Sequence, residues 1–249
     1  GFASTVCWPL SAFFLEHMGW RGACLTYAAI HLVVSLPLVF FVLPGNGKAK
    51  ATGSKKEMPA VALRGNERRA YLTIMAIMVL SGLGATIISV HLLTLLQQRG
   101  LSLAEAVALG ALIGPAQVTG RIGEMASGGR HHPIWTLAAA CALTATGMTM
   151  LASGFRVIGL SLLLYGAGNG IFSIAKGALP LALFGPARYA PIMGRLARPG
   201  LVAQAVGPTL GAFLLSIAGA GYALTVLAIL DILNLALVAF LWGQTRIRL

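Results

Sequence analysis

Residues 44–69 read PGNGKAKATGSKKEMPAVALRGNERR and form a basic stretch between two strongly apolar parts of the chain. The stretch holds seven Lys or Arg residues against two Glu, and Gly, Pro and Ala fill much of the rest. It has no apolar stripe that could be buried in a core. A basic loop between apolar spans is typical of the cytoplasmic side of a membrane protein. We therefore expect residues 44–69 to be a cytoplasmic loop.

The composition of the whole chain argues against a water-soluble domain. Of the 249 residues, 57% are hydrophobic and 10% are charged, and the mean hydropathy is +0.85. A soluble domain carries about 25% charged residues. The net charge of +12 would suit nucleic acid, but the basic residues lie in loops and not on one amphipathic face. We expect the lipid bilayer, and no nucleic acid, as the partner.

Apolar runs suitable for helices occur eight times along the chain, and a helix that crosses a bilayer needs about 20 such residues. Open strands cannot cross hydrocarbon, and the runs lack the in–out alternation of a barrel. The predicted fold class is an all-α, polytopic membrane protein with about eight transmembrane helices. The first run is short, as expected if the chain begins inside a helix. The runs are residues 2–15, 22–43, 71–96, 103–120, 134–152, 157–183, 199–218 and 221–242.

The basic residues are distributed unequally between the two sides that these spans define. With residues 44–69 inside, the inner loops and the C-terminal tail hold 14 Lys or Arg residues and the outer loops hold three. Lys176 is left within a span. Because basic loops stay on the cytoplasmic side, we expect a multi-pass inner-membrane protein with residues 44–69 and the C-terminus in the cytoplasm.

Motifs for catalysis, metals and cofactors are not found in the sequence. The three cysteines all fall inside apolar runs and have no metal-ligand spacing. The glycines of residues 166–170 follow no strand and lack a GKS/T ending, so they do not predict a nucleotide site. Glu105, Glu124 and Asp231 lie in different spans at different depths, which argues against a membrane-embedded enzyme. We expect no catalytic residue, no metal site and no cofactor.

Polar side chains inside the third run share one helix face. His91, Thr94 and Gln98 follow the i, i+3, i+7 spacing. Lipid does not accept such a face, so it should meet protein or water. A water-filled cavity and hydrogen bonds to a neighbouring helix are both consistent with the sequence. His31 stands alone in the second run, where a structural role is favoured over a functional one.

The sixth run carries a second polar face. Asn169, Ser173 and Lys176 are spaced i, i+4, i+7. Lys176 lies towards the inner end of its span, so its ammonium group can face a cavity or reach the interface along its own stem. In the fourth run, Pro115 interrupts the backbone ladder and Gln117 places an amide near the resulting kink.

The chain resembles the major facilitator superfamily, in the style of its bacterial drug or metabolite transporters, over essentially its whole length. Residues 44–69 resemble the linker between the two six-helix halves of that family. Four residues resemble the second-half copy of its loop signature, G-x-x-x-D-R-x-G-R, in which Glu replaces Asp here and an Arg is missing. These residues are Gly120, Arg121, Glu124 and Arg130. A gate contact of Glu124 with Arg121, Arg130 or a helix N-terminus is therefore expected.

The resemblance implies a domain organisation. Residues 1–43 would be the last two helices of the N-terminal bundle, with the first of them truncated. Residues 44–70 would be the basic cytoplasmic linker, and residues 71–249 the C-terminal six-helix bundle. The chain would then carry helices five to twelve, and the missing N-terminal helices of the same protein would be a partner.

The resemblance also implies a secondary active transporter of a small solute, working by alternating access. A non-transporting scaffold or receptor on the same fold is the alternative. In that fold the third, fourth and sixth spans line the central cavity. Four residues on these spans are therefore better candidates for solute contacts than His31 and Asp231. A charged lysine there favours an anionic solute, and a histidine that titrates near neutral pH can couple transport to protons. The four predicted solute contacts are His91, Gln117, Asn169 and Lys176.

Overall fold

The computed structural model describes residues 2–42, 63, 65–127, 130–154 and 156–245. These residues form helices and short turns, and none of them belongs to a strand. The predicted all-α fold class is therefore confirmed. The predictions for most of the 44–69 loop, and for Arg246 and Arg248 in the C-terminal tail, fall on residues outside this described set.

The chain divides into two compact units, residues 1–60 and residues 61–249. The boundary between the units lies inside the segment 44–70 that the sequence indicates as a linker. The assignment of residues 1–43 to an N-terminal bundle and of residues 71–249 to a C-terminal bundle stays a prediction.

The first unit is a helical hairpin. Gly19 has non-helical backbone angles, with φ +66° and ψ 176°. The hydroxyl oxygens of Ser11 and Tyr27 lie 2.6 Å apart, whereas 16 residues of straight helix would separate their backbones by about 24 Å. The chain therefore reverses at Gly19. The elements are α1 (Phe2–Ile30), a π turn (His31–Ser35) and α2 (Leu36–Val42).

Within the described residues, the second unit contains six helices. Ser102 and Glu105 form a capping box that begins one of these helices. A turn at residues 111–112 separates two of them, because Pro115 has no N–H to donate to the carbonyl of Ala111. The helices are α3 (Asn66–Gln97), α4 (Leu103–Gly110), α5 (Ile113–Ala126), α6 (Pro133–Ala152), α7 (Ile158–Phe184) and α8 (Pro186–Thr245).

Helix α8 is folded in two. Its 60 residues would extend about 90 Å as one straight helix, three times the thickness of the hydrocarbon core. Ala218 and Gly219 have non-helical backbone angles, and Gly219 has φ +72°. We call residues 186–217 the first arm of α8 and residues 220–245 its second arm.

Contacts with α3 show that the two arms run in opposite directions. The backbone N–H of Ala220 donates to the side-chain oxygen of Gln98, at the C-terminal end of α3, over 2.8 Å. At the N-terminal end of α3, Glu67 accepts two hydrogen bonds of 3.1 and 3.2 Å from the Arg188 guanidinium, early in the first arm. Leu241, late in the second arm, lies in the core cluster at that same end.

The first arm begins earlier than the sequence predicts. The seventh run was expected to start at residue 199, after a loop that holds Arg188, Arg195 and Arg198, but the helix begins at Pro186. The prediction of that loop is wrong because the arginines occupy only part of the helix surface. Between them, Ile192 and Leu196 are fully buried.

Six helices in the described part of the chain are long and apolar enough to cross a membrane. The last of them, Pro186–Gln244, contains both arms of α8 and so provides two crossings. Together with the hairpin at Gly19, this arrangement is that of a polytopic helical membrane protein.

Two apolar clusters form the core of the second unit, one towards each end of the helices. On α3, the buried members of one cluster fall between residues 70 and 77, and those of the other between residues 87 and 96. The segment of α3 between the two clusters is where polar residues line a cavity.

Candidate functional site

The described residues of the second unit enclose a cavity of about 640 Å³, within the range of small-molecule sites. We call it the main cavity. Its wall is formed by α3, α5, α7 and the first arm of α8. The lining residues are Met78, Ser81, Gly82, Ala85, Thr86, Ser89, Gln117, Asn169, Phe172, Lys176, Met193, Leu196, Ala197, Gly200, Leu201 and Gln204.

Helical spacing explains which residues of α3 and α8 reach this wall. On α3, Ser81, Ala85 and Ser89 are four residues apart, and residues three and four apart lie on one helix face. On the first arm of α8, Met193, Ala197 and Gly200 repeat the same pattern. The main cavity is thus a place where helix faces with small or polar residues meet.

Three of the four predicted solute contacts line the main cavity together: Gln117, Asn169 and Lys176. Among the described residues that line the main cavity, only Lys176 is charged. Its side chain is exposed, so the ammonium group is accessible to a solute. The amides of Gln117 and Asn169 can each donate and accept hydrogen bonds.

The fourth predicted contact, His91, is not among the lining residues. Its Nε2 donates to the backbone carbonyl of Pro208 over 2.8 Å. Gly211 makes room for the ring, since a Cβ on that glycine would lie 2.5 Å from the imidazole Cδ2. Because a carbonyl only accepts, Nε2 must carry the hydrogen in this contact. With Gln98 bonded to Ala220, this polar face of α3 makes helix-to-helix hydrogen bonds.

Helices α5 and α7 meet at three glycines, Gly120, Gly166 and Gly170, which we call the glycine seam. A Cβ on Gly120 would lie 2.5 Å from the carbonyl oxygen of Ala167, and one on Gly166 would lie 2.9 Å from that of Ile113. A Cβ on Gly170 would collide with the backbone of Gln117. The seam therefore leaves no space for side chains.

Arg121 crosses the same contact. Its Nε donates to Ser173 Oγ over 2.8 Å and to the backbone oxygen of Gly170 over 3.3 Å. Ser173 in turn donates to that carbonyl over 2.6 Å. Ser173 was expected on the polar face with Asn169 and Lys176, but it binds the arginine instead of lining the main cavity.

Glu124 has other partners than the two arginines expected for it. Its Oε1 accepts from Thr136 Oγ1 over 2.6 Å and from His131 Nε2 over 3.3 Å. Thr136 lies in α6 close to its beginning, His131 precedes that helix, and Arg130 has an exposed side chain. The described contacts of Glu124 are therefore made to side chains near the beginning of α6, and its role in a gate stays a prediction.

Asp231 lies in a second, small cavity of about 20 Å³. This cavity shares Ser81, Ala85, Asn169 and Phe172 with the main cavity. One turn further along α8, Asn234 is 1% exposed and donates to Ser81 Oγ over 3.1 Å. We call this cavity the side cavity.

Sequence reasoning missed several polar residues of the main cavity, above all Gln204, Ser81 and Ser89. The signal for the two serines was the four-residue repeat on α3. The amide of Gln204 lies against Gly82, where an added Cβ would be 3.3 Å from the amide nitrogen.

Comparison with known sequences gives a family match for most of the chain. The sequence model of the Major Facilitator Superfamily matches residues 1–194. No curated protein and no solved structure matches the chain.

Proposed function

The chain belongs to the major facilitator superfamily of membrane transporters, and we propose that it acts as a secondary active transporter, which moves a small solute by alternating access. The observation that carries the proposal is the main cavity. A space of about 640 Å³ lined by three amides, three hydroxyls and one ammonium group suits a small polar molecule. The family points to a transporter and not to an enzyme.

The solute in this proposal is anionic. Lys176 is the one charged residue that lines the main cavity, and no carboxylate accompanies it there. An ammonium group in a largely apolar surrounding gains most from an anionic partner. Gln117 and Asn169 supply further hydrogen bonds to the bound solute.

Proton coupling through His91 also belongs to the proposal. The hydrogen bond from Nε2 to Pro208 ties the ring to the first arm of α8, which forms one wall of the main cavity. Protonation at Nδ1 would place a charge at this junction of α3 and α8, and could thereby alter how the two helices pack.

The gate in this proposal is the cluster of Glu124 with His131 and Thr136, next to Gly120, Arg121 and Arg130. Because α5 and α6 meet there through one carboxylate, opening this end requires breaking its contacts. The inner-membrane location, and the cytoplasmic position of residues 44–69 and the C-terminus, rest on the charge distribution of the sequence.

The test is transport by the full-length protein in proteoliposomes, with a panel of anionic, neutral and cationic solutes, with and without a proton gradient. We expect uptake or release of an anionic solute, dependent on the gradient. Absence of solute-dependent flux with every member of a broad panel would favour the scaffold or receptor alternative.

Substitution of Lys176 then tests the site itself. Lys176→Met should weaken binding of the transported anion at least tenfold, and Lys176→Arg should retain most of it because the charge remains. Arg195→Met, on the exposed side of the first arm, is the matched control and should bind normally. Normal binding by both Lys176→Met and Asn169→Ala would place the solute elsewhere.

A further inference from the structure

Asp231 has no cationic partner within the described residues. The ion pairs found there are His131–Glu124 and Arg188–Glu67, and Asp231 takes part in neither. The residues lining the side cavity around it include no Lys, Arg or His. A charged group inside a membrane span is costly unless something neutralises it. The side chain therefore needs a counter-ion or a proton that the described protein does not supply.

The other polar residues that line the side cavity are neutral. Ser81, Thr144, Tyr165 and Asn169 line it, and each carries a side-chain oxygen. Oxygen donors of this kind suit hard cations and not transition metals. The described residues also contain no group of three or more His, Cys, Asp or Glu side chains that could hold a metal ion.

Asn234, close to Asp231 on the second arm of α8, leaves a buried polar atom without a partner. Its amide nitrogen is committed to Ser81 Oγ, while its Oδ1 is buried and has no hydrogen-bond partner. A buried acceptor without a partner costs about 1–3 kcal/mol. Asn234 follows Asp231 by three residues on the same helix, and its amide group is linked through Ser81 to the lining of the side cavity.

The size of the side cavity limits what can bind there. Its volume of about 20 Å³ exceeds the ~10–15 Å³ that one water requires, and it is far too small for a whole solute. One carboxylate neutralises one positive charge, so a divalent ion would leave an excess charge inside the span. A single small monovalent ion fits both limits.

We propose that the side cavity is a binding site for one monovalent alkali cation, of the size of sodium, with Asp231 as its anionic ligand. Ser81 and Asn169 are shared between the side cavity and the main cavity. An ion bound to Asp231 would therefore order part of the wall that a solute contacts. Only this link to solute binding rests on the proposed function, since the ion site itself does not require transport.

The experiment is thermal unfolding of the purified full-length protein without solute, in sodium chloride or in N-methylglucamine chloride of equal ionic strength. We expect sodium to raise Tm by several degrees in a saturable manner. Asp231→Asn, which keeps the shape of the side chain, should abolish the shift. Ser81→Ala should raise the apparent Kd for sodium at least fivefold. Glu16→Gln, which neutralises an exposed carboxylate, is the control and should keep the full shift.

The proposal is overturned if sodium gives no shift in the unsubstituted protein, or an equal shift in Asp231→Asn. A Tm that changes with pH but not with sodium would assign a proton to Asp231. A Tm shift with methylammonium chloride but not with sodium would indicate that Asp231 binds the ammonium group of a solute and not a metal cation. None of these results depends on solute flux, so the transport proposal stands or fails separately.

Discussion

Two sides of α7 differ in how closely they are packed, within the same few turns of the helix. On one side, Gly166 and Gly170 bring its backbone against α5 with no room for a Cβ. On the other, Asn169, Phe172 and Lys176 line a cavity of about 640 Å³. The glycine seam fixes where the helix lies, and that position holds the polar side chains at the cavity wall. Close packing and a polar site thus depend on one another along a single helix.

The membrane explains why the seam is made of glycine. Lipid tails are as apolar as leucine side chains, so helices in a bilayer are not pressed together by the hydrophobic effect. Van der Waals contact between backbones replaces it, and small residues allow that contact. Substitutions in the seam should consequently change stability, while substitutions at the cavity wall should change solute binding.

The largest effect is expected from a pair of glycines on α5. Gly120→Ala places a methyl group 2.5 Å from the Ala167 carbonyl oxygen and should destabilise the protein by about 3 kcal/mol or more, the upper end for overpacking against backbone. Gly123→Ala, three residues away with nothing within 4 Å of the added Cβ, should be neutral or stabilise by up to about 1 kcal/mol. Thermal unfolding of the full-length variants in detergent measures both. Equal Tm changes for the two variants would mean that the seam does not govern stability.

The next effect concerns the cation that crosses the seam. Arg121→Leu removes the donor to Gly170 and Ser173 and should cost about 1.5–3 kcal/mol, the usual range for hydrogen bonds to charged groups. Ser173→Ala removes only one of those partners and should cost about 1 kcal/mol. The same unfolding measurement applies. A larger loss of stability for Ser173→Ala than for Arg121→Leu would contradict the view that Arg121 is the main donor across the glycine seam.

A smaller effect is expected at the proposed gate. Glu124→Gln keeps an oxygen that accepts from Thr136 but loses the charge that faces His131, so stability should fall by about 0.5–1.5 kcal/mol. Because the contact joins α5 to the start of α6, its weakening should also favour opening of that end. Labelling of single cysteines placed in the main cavity follows the opening. Unchanged labelling rates in Glu124→Gln would show that Glu124 does not control the opening of this end.

The smallest effect on stability is expected at the cavity wall. Gln204→Ala should change the free energy of unfolding by no more than about 0.5 kcal/mol, while the loss of one solute hydrogen bond weakens binding about fivefold. Val202→Ala, on the exposed side of the same arm, should alter neither quantity much. A large drop in Tm for Gln204→Ala would show that the cavity wall is part of the packed core.

The sequence predicted the fold class and most of the helix positions, because both depend on runs of apolar residues. It failed at the first arm of α8, where Arg195 and Arg198 were interpreted as a loop. A helix tolerates cations on its exposed side, and only burial of Ile192 and Leu196 in the folded bundle shows that the helix continues. The break between the seventh and eighth runs, by contrast, was predicted at residues 219–220, and the helix reverses at Ala218 and Gly219.

By itself, the sequence determined that this chain is a helical membrane protein, and helical spacing determined which polar residues share a face. Only the tertiary structure decided what each face meets. His91 bonds Pro208, 117 residues away, while Asn169 and Lys176 line the main cavity and Glu124 binds His131 and Thr136. The physical reason is that spacing sets directions within one helix, whereas the rotation and neighbours of that helix come from close packing between segments far apart in the chain.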